Sequence, residues 1–278
     1  MRPEMGPRLP RDANEQFWRD FLTRGDSRER SRRVLYRRIP SEPRCRLCAA
    51  PFGGIGAPIM RLLGKAPSDA NPTMCNRCFD FVAAHHGGAE IEATLMFADV
   101  RGSTALAERT SPGEFHALLD RFYRTATKVV FDHDGAVDKF VGDEIVAMFF
   151  PLLSGDEHSL KGVEAAQALL RATGHGSAVG AWIPVGAGVH TARVWFGAVG
   201  DGSHVELTAL GDGVNVAARL ASAAAAGEVL VTTTAAERAG LDASFERRRL
   251  DLKGKELSTD VVVVTAGRAL RGEAGARA

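Results

Sequence analysis

The dipeptide Gly142-Asp143, set between the apolar runs Ala136 to Val141 and Ile145 to Phe150, is the tightest local constraint in this chain. Gly-Asp between two β-forming runs is a hairpin signal, because glycine supplies the positive φ of a two-residue loop and the flanking runs must then pair antiparallel. A carboxylate, Asp143, therefore stands at the tip. A second, Asp99, closes the run Leu95-Met96-Phe97-Ala98 and leads into Val100-Arg101-Gly102-Ser103-Thr104. If that strand lies beside the hairpin, both carboxylates meet at one sheet edge. Two hard oxygen ligands with little else nearby suit Mg2+, which keeps waters and fills its octahedron with substrate phosphates. That is the shape of a two-metal phosphoryl-transfer site. Taken singly, each Asp reads as a helix N-cap or a turn residue, so the assignment rests on the rest of the chain.

Four cysteines form two CxxC pairs, Cys45-Arg46-Leu47-Cys48 and Cys75-Asn76-Arg77-Cys78, separated by 26 residues. Each pair can present two thiolates from one tight turn, and two turns complete a tetrahedral S4 site for a structural Zn2+, one per chain. The spacer exceeds the commonest zinc-ribbon lengths, and a thiol switch or iron–sulfur site remains open. A thioredoxin-like CxxC would want a strand before it and a helix after, which the Pro-rich flanks do not offer. His85-His86 could replace one thiolate, although adjacent His residues before Gly87-Gly88 read more simply as exposed.

In order, residues 1–12 are rich in Pro, Gly and Arg without periodicity and are expected to be disordered. Residues 13–88 form a helical and CxxC module, with a helix or helix pair from Ala13 to about Arg38 stopped by Pro40 and Pro43. Gly87-Gly88 is expected to mark a boundary. Beyond it, 89–266 are expected to form a second domain and 267–278 a flexible tail. Within that domain the pattern predicts a strand over 91–97, a helix start at Gly102-Ser103-Thr104, and a long amphipathic helix from Pro112 to His133. The 136–150 hairpin follows, then a helix near 157–173. Two strands are predicted at 183–190 and 194–199, with a turn at 200–202 and a third strand to Leu207. A helix over 214–225, almost entirely Ala, Val and Leu, carries Asn215 and Arg219 at i and i+4. A strand over 228–231, a short helix near 234–239 and strands near 245–250 and 260–265 complete the order. This is an α+β arrangement with a split βαβ core of ferredoxin-like character.

Composition narrows the function classes. The formal net charge is +1 over 278 residues, so global charge points to neither nucleic acid nor membrane. Residues 1–44 carry 12 Arg against 7 acidic residues, a basic arm that reads as a solvated helical face. It lacks interleaved exposed aromatics beyond Phe17, Trp18 and Tyr36, and no nucleic-acid partner is expected. The longest apolar run, Ile145 to Leu153, contains Pro151 and is too short to cross a bilayer, and no signal-peptide core follows Met1. A cytoplasmic protein is expected.

Four blocks in order, Phe97-Ala98-Asp99-Val100-Arg101-Gly102-Ser103-Thr104, Lys139-Phe140-Val141-Gly142-Asp143, Gly211-Asp212-Gly213-Val214-Asn215-Val216-Ala217-Ala218-Arg219-Leu220 and Leu252-Lys253-Gly254-Lys255, closely resemble the catalytic domain of class III nucleotide cyclases. The resemblance covers residues 91–265 and implies a ferredoxin-like class III cyclase catalytic domain behind the small Cys-rich, zinc-ribbon-like module. It implies Asp99 and Asp143 as ligands of two Mg2+ or Mn2+ ions. It further implies Lys139 and Thr208 as purine contacts, Asn215 as the ribose-positioning residue, Arg219 as the group stabilising charge on the transferring phosphate, and Lys255 as the grip on the triphosphate. Thr208 stands where many adenylate cyclases carry Asp, and Ala192 where Gly is usual. The implied activity is conversion of ATP to 3′,5′-cyclic AMP and pyrophosphate by a homodimer with two active sites at its interface. The alternatives are a guanylate cyclase, whose members usually carry Glu and Cys at positions 139 and 208, and a non-catalytic nucleotide-sensing domain, which would typically lack a metal Asp or the Asn/Arg pair.

Overall fold

The Gly142-Asp143 hairpin forms as its sequence predicts. In the computed structural model of the protein, which describes residues 11–24, 27–39, 41–201, 204–254 and 258–270, β2 (Ala136–Val141) and β3 (Glu144–Phe149) pair antiparallel across this two-residue loop. Gly142 has φ 61° and Asp143 is not among the positive-φ residues, which is the requirement of a loop with glycine first. The preceding strand β1 (Gly87–Val100) pairs antiparallel with β3 in a register that sets Asp99 opposite Glu144.

The chain divides into two compact units. The first comprises residues 1–91, 151–153 and 194–210; the second comprises 92–150, 154–193 and 211–278. The first holds α1 (Arg11–Thr23), α2 (Ser27–Arg37), α3 (Ala57–Leu62) and α4 (Asn76–Ala84). Phe17 and Phe21 of α1 lie 5.9 and 4.8 Å from Phe81 of α4, and Trp18 is fully buried and donates from Nε1 to the His85 carbonyl at 2.9 Å. The aromatics of the basic arm thus make this unit's core; Trp18 and Tyr36 are both buried. Residues 1–10, expected to be disordered, and Pro40 lie outside the described residues, whereas Arg11 and Asp12 already belong to α1.

The second unit is built on a sheet with strand order β2-β3-β1-β4 (Val185–Asp201)-β6 (Glu228–Thr232)-β8 (Thr259–Thr265)-β7 (Arg247–Leu250), and within the first unit β5 (His204–Leu210) pairs with residues 195–201 of β4 beside that path. Helices α5 (Ser103–Arg109), α6 (Pro112–Asp132), α7 (Pro151–Ser154) and α8 (His158–Ala172) precede β4 (Val185–Asp201) and β5 (His204–Leu210). Helix α9 (Asp212–Ala223) then leads to β6 (Glu228–Thr232), parallel to β4, followed by α10 (Thr233–Ala239), β7 (Arg247–Leu250) and β8 (Thr259–Thr265). Alternation along β6 and β8 separates two apolar layers. Val229, Val231, Val262 and Val264 join the core that contains Phe122 and Val130 of α6 and Leu169 and Leu170 of α8. Leu230, Val261 and Val263 point to the opposite face and pack with Val216 and Leu220 of α9. A Cβ on Gly188 would lie 2.5 Å from the Ala221 backbone nitrogen, so glycine there permits the close seat of α9 on β4.

Four expectations need correction. Residues 183–190 and 194–199 are not two strands but parts of one, β4, because the polar interruption His190-Thr191 is satisfied inside the fold. Thr191 Oγ1 lies 2.8 Å from Thr94 Oγ1 and 3.0 Å from Ser159 Oγ, and His190 Nδ1 lies 3.0 Å from Thr232 Oγ1. Gly87-Gly88, expected to mark a boundary, is the start of β1, and the units divide after Ile91 instead. His85 is not simply exposed: its ring stacks on Phe17 at 4.6 Å and its Nδ1 sits 2.8 Å from the Phe81 carbonyl. Arg268, expected in a loose tail, stacks its guanidinium over Phe245 at 4.1 Å; residues 271–278 lie outside the described residues.

Candidate active site and metal centre

In the second unit, β1 delivers Asp99 and the hairpin delivers Asp143 to one sheet edge, where the Asp143 side chain acts on the Asp99 carboxyl. The register adds a third carboxylate, Glu144. Burial first, and then the Asp143 side chain, push the Asp99 carboxyl up to about 6, against the opposing pull of Arg101. Burial and the charges of Asp99 and Asp143 push Glu144 up to about 7. Half-buried carboxylates crowded at one edge make a donor set that a divalent cation would relieve, and their oxygens fit Mg2+ or Mn2+.

Besides Glu144, sequence reasoning missed two residues here. Arg101 holds Asp99 through one guanidinium nitrogen and donates through the other to the Ser222 carbonyl at 2.9 Å, while its backbone N–H bonds Pro184 O at 2.8 Å. Tyr123, counted only as an apolar position of α6, donates to the Gly142 carbonyl and stacks on Phe140 at 4.4 Å, which pins the hairpin tip. Arg101 could have been suspected from its place two residues after Asp99; nothing in the helical pattern singles out Tyr123.

The remaining positions fall in separate places. Lys139 is half-buried on β2 with its ammonium 3.9 Å from Asp138. Asn215 is exposed and Arg219 half-buried, one turn apart on α9, while Gly213, Val216, Ala217, Leu220 and Ala221 bury the other face. The Arg219 guanidinium lies against Gly254, where a Cβ would come within 3.3 Å of it, so α9 and the turn at Lys253-Gly254 are brought together. Lys255 lies outside the described residues. Thr208 belongs to the first unit, on β5, where it is buried and pairs with Gly197 of β4.

The second centre lies in the first unit. The sulfurs of Cys45, Cys48, Cys75 and Cys78 all lie within 4.8 Å of one another, and Cys48 Sγ and Cys75 Sγ are 3.8 Å apart. Four Zn–S bonds of about 2.3 Å directed tetrahedrally require sulfurs roughly 3.8 Å apart, so the set fits Zn2+. Cys75 caps α4 and its N–H donates to Cys45 Sγ at 3.3 Å. Hydrogen bonds from the other three thiols hold Cys45 well below its ordinary range. The buried Lys65 ammonium lies 3.7 Å from Cys48 Sγ and 5.6 Å from the Tyr36 ring centre. Burial acts to lower its pKa, but the charges of Cys48, Cys75 and Cys78 outweigh that and raise it. A cavity of about 310 Å³ adjoins the centre, with Arg32, Arg33, Lys65 and Arg77 in its lining.

Residues 89–264 match the family described as the adenylate and guanylate cyclase catalytic domain. An adenylate cyclase of Anabaena cylindrica is 29% identical over 185 residues, covering 62% of this chain and 36% of that protein. Adenylate cyclase 1 of Rhizobium meliloti is 34% identical over 146 residues, covering 50% and 22%. The chain thus spans about a third or less of these two curated relatives. Among solved structures, the guanylyl cyclase Cya2 matches with TM-score 0.57 and 26% identity, over 65% of this chain and 95% of that one. The adenylyl cyclase CyaB from P. aeruginosa matches in fold with TM-score 0.57 and 24% identity, over 66% and 99%. No helix among the described residues is long and apolar enough to cross a membrane.

Proposed function

Because this chain belongs to the adenylate and guanylate cyclase catalytic domain family, we propose that it converts ATP to 3′,5′-cyclic AMP and pyrophosphate in cyclic nucleotide signalling. The observation that carries the reading is the meeting of Asp99 and Asp143 at one sheet edge, in a chain whose other two blocks are intact. These two carboxylates would hold two Mg2+ or Mn2+ ions, which when bound acidify the ribose 3′-hydroxyl and neutralise the triphosphate.

The chain's own residues select and orient the nucleotide. The Lys139 ammonium donates to adenine N1, an acceptor, whereas guanine N1 carries a hydrogen and would oppose it; the Thr208 hydroxyl accepts from the adenine amino group. Asn215 holds the ribose, and Arg219, on the same side of α9, stabilises the charge that grows on the α-phosphate as the 3′-oxygen attacks. Lys255 grips the triphosphate. The 3′-hydroxyl gives up its proton to water, its oxygen forms the new bond to the α-phosphorus, and the bond to pyrophosphate breaks with the electron pair leaving on pyrophosphate.

The same reading makes the enzyme a homodimer, in which the Asp pair of one chain faces the Lys139, Thr208, Asn215, Arg219 and Lys255 set of its partner, so that a two-fold axis generates two equivalent sites. The four cysteines of the Cys centre would hold one structural Zn2+ per chain, and sulfurs kept for a metal rather than paired as disulfides suit a reducing compartment, the cytoplasm.

Incubation of purified protein with ATP or GTP and Mg2+ or Mn2+, with product identification, tests the assignment. Cyclic AMP should form with clear preference over cyclic GMP, and Lys139→Glu with Thr208→Cys should reduce that preference by at least about 10-fold. Equal turnover of GTP by the unmodified protein would overturn the base assignment, and absence of any cyclic product would favour a nucleotide-sensing domain.

A further inference from the structure

Thr208, assigned above to the purine, sits in the same compact unit as the cysteine centre, and two separate connections join them. The first runs through Arg46, the residue after Cys45. Its backbone is held in the CxxC turn, where Cys45 N donates to Ala50 O at 2.9 Å, Ala49 N donates to Cys45 O at 2.9 Å, and Arg46 N donates to Thr73 O at 2.9 Å. Its half-buried side chain reaches out of that turn, and Nη2 donates to the carbonyl of Leu207 at 3.4 Å. Leu207 immediately precedes Thr208 on β5.

The second connection runs through the other CxxC turn. Cys75 caps α4 and Cys78 lies in its first turn; α4 packs on β5 and ends at Ala84, three residues before Gly87. Trp18 and Asn14 of α1 hold the carbonyls of His85 and His86 on the way. Gly87-Gly88 then lies backbone against backbone on β4: a Cβ on Gly88 would be 2.3 Å from Phe196 O, and a Cβ on Gly197 would be 2.3 Å from Gly87 O. Gly197 is the register partner of Thr208. Both CxxC turns therefore end on the β4–β5 pair at the position that carries Thr208.

We infer that Arg46 is a positioning residue for base recognition, and that the cysteine centre, through Arg46 and α4, sets where β5 presents Thr208. This rests on the assignment of Thr208 to the purine. Loss of the Arg46 contact lets β5 shift, so the penalty falls on recognition of the base and not on the phosphoryl chemistry. Leu207 and Thr208 are both buried, so a shift of β5 at this point moves the Thr208 side chain with it.

The test compares full-length Arg46→Ala and Arg46→Lys with the parent, after elemental analysis shows equal zinc in all three. Arg46→Ala should raise the KM for ATP on the order of 3- to 10-fold and lower the ATP-to-GTP preference similarly, with kcat within about 2-fold; Arg46→Lys, which keeps a donor, should recover most of the loss. Unchanged KM and preference in Arg46→Ala, or an equal fall in kcat, would overturn the inference. Hydrogen exchange provides a readout that needs no turnover. Amides of residues 204–210 should exchange faster in Arg46→Ala while those of 136–149 do not change. If the parent forms no cyclic nucleotide, the cyclase reading fails and this exchange arm alone decides the coupling, which unaltered exchange of β5 would refute.

Discussion

The carboxylate centre, drawn from a strand end and a hairpin, and the cysteine centre, drawn from two CxxC segments, are built to opposite specifications. Asp99, Asp143 and Glu144 are half-buried at a sheet edge and repel one another, with Asp99 pushed up to about 6 and Glu144 to about 7. Cys45, Cys48 and Cys75 are buried, hydrogen-bonded to one another and to backbone, and balanced by the buried Lys65. An accessible, electrostatically frustrated oxygen set would take up an exchangeable hard cation together with substrate phosphates. A closed sulfur set with its own counter-charge would hold a metal permanently and return the binding free energy as stability. The difference teaches that two clusters alike in ligand number suit different cations through their burial and charge balance.

Breaking the first centre should have the largest effect. Asp99→Ala and Asn215→Ala proteins should each lose about 100- to 1,000-fold or more in cyclisation rate, with unchanged zinc content and circular dichroism. If the site is shared between chains, mixing the two should restore up to about a quarter of the parent rate, since half the random dimers are mixed and each has one intact site. No recovery despite demonstrated subunit exchange would mean that one chain builds the whole site.

Breaking the second centre should act on stability. Cys75→Ser should lose the single zinc, and a cost on the order of 3 kcal/mol would lower Tm by roughly 6–12 °C in calorimetry. A protein purified under reducing conditions that carries no metal would instead point to a thiol switch. Removing only the counter-charge should be milder: Lys65→Met should weaken zinc affinity by about 10- to 100-fold in competition with a chelator while the four sulfurs remain. An unchanged affinity would show that Lys65 is not the balancing charge. The smallest effect belongs to the hairpin support. Tyr123→Phe keeps the ring on Phe140 but removes the donor to Gly142, and should slow turnover by about 3- to 10-fold with the dication requirement shifted to higher concentration. A rate equal to the parent's would exclude Tyr123 from positioning Asp143.

Much of this molecule was legible because local chemistry and global fold agree. The Gly142-Asp143 turn, the long α6 introduced by Pro112, and the strand leading to Asp99 all follow from turn propensity and apolar periodicity, and the CxxC spacing announced four convergent sulfurs. The readings that failed were those in which a polar or flexible residue is satisfied by a distant partner. His190-Thr191 resembled a strand break until Thr94, Ser159 and Thr232 supplied its hydrogen bonds, and Gly87-Gly88 resembled a linker until the Phe196-Gly197 backbone proved to need the space a Cβ would fill.

By itself the sequence determined the carboxylates and thiols that each cluster brings together and the helix that carries Asn215 and Arg219, because residue identity and spacing of two to four positions decide such features. Only the tertiary structure decided that Glu144 faces Asp99, that Arg101 reaches Ser222, and that residues 194–210 join the cysteine module in one compact unit. Those contacts join segments tens to more than a hundred positions apart, as with Arg46 and Leu207, whose meeting depends on how strands register and where helices end. No local pattern in a sequence encodes that kind of proximity, since it is set by the packing of the whole chain.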